Sequence, residues 1–343
     1  MTLRVAVVGA GFIGADHAAA YAAQPDAEIV AIVDPDSGRG GALAARHGAS
    51  AVPDLEALLV SARPDAASVC VPTGLHRPVV ERLAAAGVHI LLEKPMAATV
   101  ADCDAIAEAA EAAGIVLMLG LTHRFHEELI EARRLIASGA IGLPRLALDA
   151  FSFGEHGPWP AWYYDRTLSG GGELMHDGVH LVDRLEWLID SPIVEVYGRT
   201  TSYARSIEGV EDGGVAILSF ANGAIGSIFV NESTYPLRSD AESVPMPGRL
   251  ELEIHGTRGS IRYRTWHELV VDLAGEPSRT VTRTDDGEMS REIRAFLDAI
   301  AAGTPPPVGA REGRRGIAII GAIYESERRG RPVSVDELFP RPS

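Results

Sequence analysis

Arg4-Val5-Ala6-Val7-Val8-Gly9-Ala10-Gly11-Phe12-Ile13-Gly14 is the stretch whose reading decides the fold of this chain. The run Arg4–Val8 reads as a strand, and an Ala-rich helical segment over 13–23 follows the glycines. In such a strand–turn–helix Gly9 makes the tight turn, Gly11 lets a pyrophosphate approach the backbone, and Gly14 lets helix and strand pack closely. The helix start at Phe12 and Ile13 then offers N–H groups and partial positive charge to phosphates. Gly-rich turns are common, so the motif alone is weak. Asp34 strengthens it, because it ends the next strand, Glu28–Val33, where a carboxylate binds ribose hydroxyls. A carboxylate there repels a 2′-phosphate, which favours NAD; Arg39 nearby keeps NADP possible.

Working outward, further apolar runs at Ala67–Val71, His89–Leu92 and Val116–Leu119 alternate with helical segments near 37–47, 54–61, 77–86 and 99–113. That alternation is the pattern of a doubly wound parallel sheet, and Thr99 is placed to cap the last of these helices. After about residue 122 the texture changes. A helix around 127–138 precedes strand-like runs at 143–151, 193–203, 213–221, 224–231, 250–256, 259–264 and 267–273, and two helices, 289–302 and about 311–329, close the chain. Asn222-Gly223 between two of the runs predicts a hairpin with a tight primed turn. The expectation is an α/β chain: a Rossmann domain over 1–122, then an α+β domain over 123–343 built on a mostly antiparallel sheet.

The 343 residues are 46% hydrophobic and 23% charged, enough to bury two cores of ordinary size. The formal charge of −16 speaks against nucleic acid or an anionic membrane as partner. Cys70 and Cys103 make neither a disulfide framework nor a CxxC metal site. The N-terminal apolar run is too short for a signal segment and no run is long enough to span a membrane, so the expectation is a cytoplasmic protein.

Two segments carry candidate chemistry. Glu93-Lys94-Pro95 directly follows the strand 89–92. Ligands of open parallel sheets sit outside the carboxyl ends of the strands, so Lys94 is aimed at the nicotinamide end of the cofactor. Oxidising a carbinol carbon needs a group to take the hydroxyl proton, which a lysine beside a cationic nicotinamide can do. The second segment, Gly170-Gly171-Gly172-Glu173-Leu174-Met175-His176-Asp177-Gly178-Val179-His180-Leu181-Val182-Asp183, reads as a glycine loop entering a helix that runs to about Ile189. His176, His180 and Asp183 then form one polar stripe on an otherwise apolar helix. His-x3-His with a carboxylate is also a plausible metal spacing, but the glutamate of a hydrolytic zinc helix is missing, and no metal is expected.

At these residues the chain resembles the glucose–fructose oxidoreductase / inositol dehydrogenase / rhizopine-catabolism family. The resemblance spans nearly the whole chain and rests on the glycine loop at 9–14, Glu93-Lys94-Pro95, Thr122-His123-Arg124-Phe125, the Gly170–Asp183 block and Gly330-Arg331-Pro332-Val333. It implies a large open sheet whose free face mediates dimer or tetramer contacts, and oxidation or reduction of a sugar, cyclitol or related polyol. Lys94 matches the family's catalytic lysine and His180 its catalytic histidine. Pro72, Thr73, His76 and Glu93 are expected on the cofactor side, with Thr73 standing where the family usually has Asn.

One departure bears on the chemistry. The family's block carries an Asp where this chain has His176, and Asp177 points about 100° away around a helix, so it is no substitute. His176 is therefore expected to relay the proton in place of a carboxylate, and it joins Lys94 and His180 as a candidate catalytic residue. Between 151 and 169 the chain concentrates aromatics, including two of its four tryptophans. Aromatic faces suit the C–H faces of sugar rings, so Trp162, Tyr163 and Arg124 join Lys94, His176 and His180 as the substrate-side candidates. A cofactor- or sugar-sensing protein without turnover, and a metal-assisted hydrolase or lyase using the 176–183 stripe, are the alternatives.

Overall fold

The computed structural model describes residues 2–153, 160–202, 207–232, 249–264, 268–282 and 287–340. It divides into two compact units, one of 1–125 with 287–314 and one of 126–286 with 315–343.

The first unit carries a six-stranded parallel sheet of β1 (Leu3–Val8), β2 (Ala27–Val33), β3 (Ser50–Val52), β4 (Ala66–Val69), β5 (His89–Glu93) and β6 (Leu117–Gly120), in the order β3-β2-β1-β4-β5-β6. The central strands read as apolar runs because both faces are covered: Val5, Ala6, Val7, Ile90, Leu91 and Leu92 are all fully buried. The order reverses between β1 and β4, the switch point at which ligands of such sheets bind. Helices Phe12–Ala22, Ser37–His47, Leu55–Ser61, His76–Ala84 and Val100–Ala113 connect the strands. Thr99 caps the last, its hydroxyl accepting from the Asp102 N–H at 3.1 Å. β3 has only three residues and no apolar pattern that marks it in the sequence.

A single cut at 122 does not describe this division. The helix Glu288–Ala302 belongs to the first unit, where Gln24 donates to the Ser290 hydroxyl at 3.0 Å and Arg294 pairs with Asp26 at 2.6 Å. Such long-range packing leaves no mark in the local sequence.

Among its described residues the second unit carries nine strands, β7 (Pro144–Phe153), β8 (Ile193–Thr201), β9 (Gly213–Phe220), β10 (Ile225–Glu232), β11 (Arg249–Gly256), β12 (Gly259–Arg264), β13 (Glu268–Leu273), β14 (Arg279–Thr282) and β15 (Val333–Ser334). Their order is β14-β13-β12-β11-β7-β10-β9-β8-β15, and every neighbouring pair except β7–β10 is antiparallel. The β9–β10 hairpin forms at Asn222-Gly223 as expected, but Gly223 alone has positive φ (82°), so the connection is longer than a two-residue primed turn. One sheet face is buried through Leu218, Ile228, Val230, Leu252 and Ile254. The other leaves Leu146, Leu148, Val215, Ile217, Ile225 and Phe229 exposed on adjacent strands in register. No helix among the described residues is long and apolar enough to cross a membrane.

Candidate active site

In the first unit the three glycines do two different things. Gly9 has φ +100°, and a Cβ there would lie 2.4 Å from the Cys70 carbonyl oxygen; a Cβ on Gly14 would lie 1.9 Å from the Gly9 oxygen. Both are fixed by backbone packing. A Cβ on Gly11 would meet nothing within 4 Å, so this position faces open space. No side chain caps the helix that starts at Phe12, and its first turn holds no acidic residue. Its N-terminal end is thus left for a ligand with negative charge. Phe12 is 80% exposed on the same loop.

Asp34, at the end of β2, accepts the Ala10 N–H at 2.8 Å and a two-pronged pair from Arg39 at 3.0 and 2.9 Å. Burial acts to raise this carboxyl, but hydrogen bonds from Arg39 and from the Ala10 and Asp36 amides outweigh it and hold Asp34 below its ordinary value. Asp34 is therefore a fixed anion beside the glycine turn. The residues present fit a dinucleotide whose ribose presents free hydroxyls.

Lys94 is half-buried at the carboxyl end of β5, and its peptide bond to Pro95 is cis. Glu93 turns its carboxylate into the unit, where Oε2 accepts the Lys94 N–H at 3.1 Å and Oε1 meets His17 Nε2 at 3.0 Å. His76 is buried, with Nε2 2.9 Å from the Val71 oxygen and Nδ1 3.2 Å from the Met96 oxygen. Burial lowers its pKa against the raising effect of these carbonyls, and the ring lies between the turns that follow β4 and β5. Thr73 is buried in the short turn Thr73–Leu75, directly after Pro72, and Arg124 lies half-buried in the turn Thr122–Phe125 after β6. Thus Gly9–Gly14, Asp34, Pro72, Thr73, Lys94 and Arg124 follow the carboxyl ends of the parallel strands, as the switch-point rule requires.

In the second unit the glycine loop enters the helix Val179–Ile189 through a π-helical turn, Leu174–Gly178. Such wide turns recur at functional sites, and this one takes the place of the regular helix expected at 176–178, while the helix expected from 179 forms. The loop is held by a residue the sequence reading missed. Glu211 accepts the Gly172 N–H at 3.0 Å, the Leu174 N–H at 3.1 Å and the Tyr324 hydroxyl at 2.7 Å. A Cβ on Gly172 would sit 1.8 Å from the Glu211 carbonyl oxygen, which is why this loop needs glycine. Burial pushes the Glu211 carboxyl above its ordinary value.

His176 is buried and stacked on Tyr163, with ring centroids 4.2 Å apart and planes 17° from parallel; Trp162 meets both rings. The structure thus gathers three of the expected residues into one aromatic cluster. Trp159, from the same aromatic stretch, lies outside the described residues. His180 and Asp183 are buried farther along the helix. Arg184 secures that helix to β7 through a fully buried two-pronged ion pair with Asp149, at 2.7 and 3.0 Å. Removing either partner would strand a buried charge.

Residues 3–121 match the family model described as oxidoreductase family, NAD-binding Rossmann fold, and residues 129–262 match the GFO/IDH/MocA C-terminal domain. The chain belongs to the Gfo/Idh/MocA oxidoreductase family. Inositol 2-dehydrogenase 1 of Saccharopolyspora erythraea is 31% identical to it over 100% of this chain and 99% of its own. D-glucoside 3-dehydrogenase of Escherichia coli is 26% identical over 97% of each. The crystal structure of an aldose–aldose oxidoreductase from Caulobacter crescentus, complexed with glycerol, superposes with a TM-score of 0.87 at 26% identity, covering 97% of this chain and 100% of that one. The Gfo/Idh/MocA assignment agrees with the parallel six-stranded sheet, the mostly antiparallel nine-stranded sheet of the described residues and the glycine turn after β1.

Proposed function

We propose that this chain is an NAD-dependent dehydrogenase or reductase acting on a secondary hydroxyl or carbonyl of a sugar, cyclitol or related polyol. The observation that carries the reading is Lys94, fixed at the carboxyl end of β5 in the unit that also holds the Gly9–Gly14 turn and Asp34. The Gly11 opening and the helix start at Phe12 and Ile13 would hold the pyrophosphate, and Asp34 the ribose, with Pro72 and Thr73 alongside. When bound, the nicotinamide supplies a hydride acceptor or donor. Lys94 and His180 take or return the hydroxyl proton, and His176 passes it on. Trp162, Tyr163 and Arg124 orient the substrate, the rings by their faces and the guanidinium by hydrogen bonds. Arg39, committed to Asp34, supports NAD over NADP, because the pair presents a carboxylate rather than a free cation to a 2′-phosphate.

The exposed apolar stripe on β7, β9 and β10 supports a homodimer or homotetramer, since such a face is rarely left to water. Cys70 and Cys103 are free thiols, which suits the reducing cytoplasm. The test of the activity is NADH absorbance during a screen of sugars and cyclitols with both cofactors. Turnover of a polyol with NAD supports the reading; tight NAD binding with no turnover across a broad panel overturns it in favour of a sensor. For assembly, sedimentation should show an oligomer for the wild type and a monomer for Ile217→Glu.

A further inference from the structure

A buried polar chain runs beneath the Lys94 turn. Tyr21 and His17 come from the helix Phe12–Ala22, Ser68 from β4, Glu93 from β5, Thr122 from the turn after β6 and Glu292 from the helix Glu288–Ala302. The Tyr21 hydroxyl lies 3.0 Å from Ser68 Oγ, Ser68 Oγ lies 2.9 Å from His17 Nδ1, and His17 Nε2 lies 3.0 Å from Glu93 Oε1. One assignment of hydrogens satisfies the chain: Tyr21 donates to Ser68, Ser68 to His17 and His17 to Glu93. Glu93 then accepts on both oxygens, the second taking the Lys94 N–H. Gly120, opposite Glu93 on β6, leaves the room this needs, since a Cβ there would come within 2.8 Å of Glu93 Oε1.

Glu292 completes the group. It is fully buried, with one carboxyl oxygen within 4.8 Å of a ring nitrogen of His17 and a carboxyl oxygen of Glu93. Oε2 accepts from the Thr122 hydroxyl at 3.1 Å, while Oε1 has no hydrogen-bond partner. Two buried carboxylates this close oppose each other's charge, which favours the neutral form of one.

We propose that His17, Glu93 and Glu292 form one buried clamp that positions Lys94, with Glu292 present as the neutral acid. This inference rests on the reading of Lys94 as the proton-handling lysine. Glu93 holds the amide of Lys94, and the buried His76 ring lies against the Met96 carbonyl two residues on, so the turn is packed from both sides. Burial, and then the Glu93 charge, push the Glu292 carboxyl well above its ordinary value. The other titratable groups facing the cluster are Asp16, Tyr21, Cys70, His76 and Lys94. Burial raises the pKa of Asp16, Tyr21 and Cys70, so it discourages further negative charge beside Glu93. Glu93, His17 and Glu292 are positioning residues, acting through Lys94.

The test uses the full-length protein. Glu93→Ala should lower kcat by about a hundredfold, the loss expected of a misplaced catalytic group, while NADH affinity read by fluorescence stays within about threefold. Glu93→Gln, which keeps an acceptor for the Lys94 amide, should restore most of the rate. In a Lys94→Met background, Glu93→Ala should add no further loss. A further large loss there, or a Glu93→Gln enzyme as slow as Glu93→Ala, overturns the positioning role.

Infrared difference spectra of wild type against Glu292→Gln should show a protonated carboxyl stretch at neutral pH. Its absence, or a stoichiometric metal that Glu292→Gln abolishes, overturns the neutral acid. Thermal scans give the sign independently. A carboxyl raised by burial contributes stability at low pH that is lost as pH climbs through its folded value. Glu292→Gln should therefore gain on wild type as pH rises, and parallel curves overturn the assignment. If wild type turns over no polyol, the dehydrogenase reading fails while the clamp is still judged: the resonance of 13C-methylated Lys94 should shift in Glu93→Ala, and an unmoved resonance overturns it.

Discussion

Two glycine-rich turns, one in each unit, use the same residue type to opposite ends. At Gly11 the missing side chain leaves open space, at a helix start that no side chain caps. At Gly171 and Gly172 the missing side chains admit the chain's own Tyr324 hydroxyl and Glu211 backbone, where a Cβ would come within 2.5 and 1.8 Å. The first turn is open on the side that the proposed function gives to a pyrophosphate; the second is filled from within and leads into the segment that carries His176 and His180. A glycine motif is thus read only when it is known what approaches it. In the first turn that is legible from strand–turn–helix spacing, because the partner is a ligand whose chemistry is general. In the second the partner is Glu211, which lies 39 residues from Gly172.

The strongest way to break this comparison is at the lysine. Lys94→Met should lower kcat by about a thousandfold with NADH binding intact, as removal of a proton-transfer group does; a parallel loss of binding would make Lys94 a cofactor anchor instead. Next, Gly172→Ala should destabilise the protein by about 3 kcal/mol, measured by urea unfolding, because the new methyl meets backbone that has no room to move. Gly11→Ala should leave the unfolding midpoint unchanged and weaken NAD binding by about tenfold, the equivalent of one charge-assisted hydrogen bond. If the two alanines behaved alike, the contrast between an open and a filled turn would be lost. The smallest effect is expected of His176→Phe. It keeps a ring against Tyr163, so stability should change by less than about 1 kcal/mol, while the pH–rate profile loses the limb that a relaying imidazole supplies.

What the sequence made legible follows from how far each feature reaches along the chain. The parallel strands announce themselves as apolar runs because both faces are buried, and Asp34 is found by its distance from Gly14. β3 and β15 are too short to show alternation, and β14 has one apolar residue in four. His17 left a signal that local reading passes over: it sits three residues after Gly14, on the buried side of the helix with Ala18 and Tyr21. A polar residue on such a stripe needs a buried partner. Glu292, Glu211 and the Asp149–Arg184 pair left none, because each is defined only by residues distant in sequence. Glu93 and His76 were found as members of the site region, but their side chains serve the Lys94 turn from beneath.

The path of the chain between its units has a consequence for how the protein is made. The first unit is begun by residues 1–125 and finished by 287–314. During synthesis, therefore, the whole of 126–286 emerges before the helix Glu288–Ala302 does. Until then the first unit lacks Ile293, Phe296 and Leu297, all fully buried at the end, as well as Glu292. Domains generally fold in the order in which they leave the ribosome. Here the domain that starts first is completed late, and a ribosome stalled before residue 287 would hold a first unit with an open apolar groove and no acid beneath its lysine.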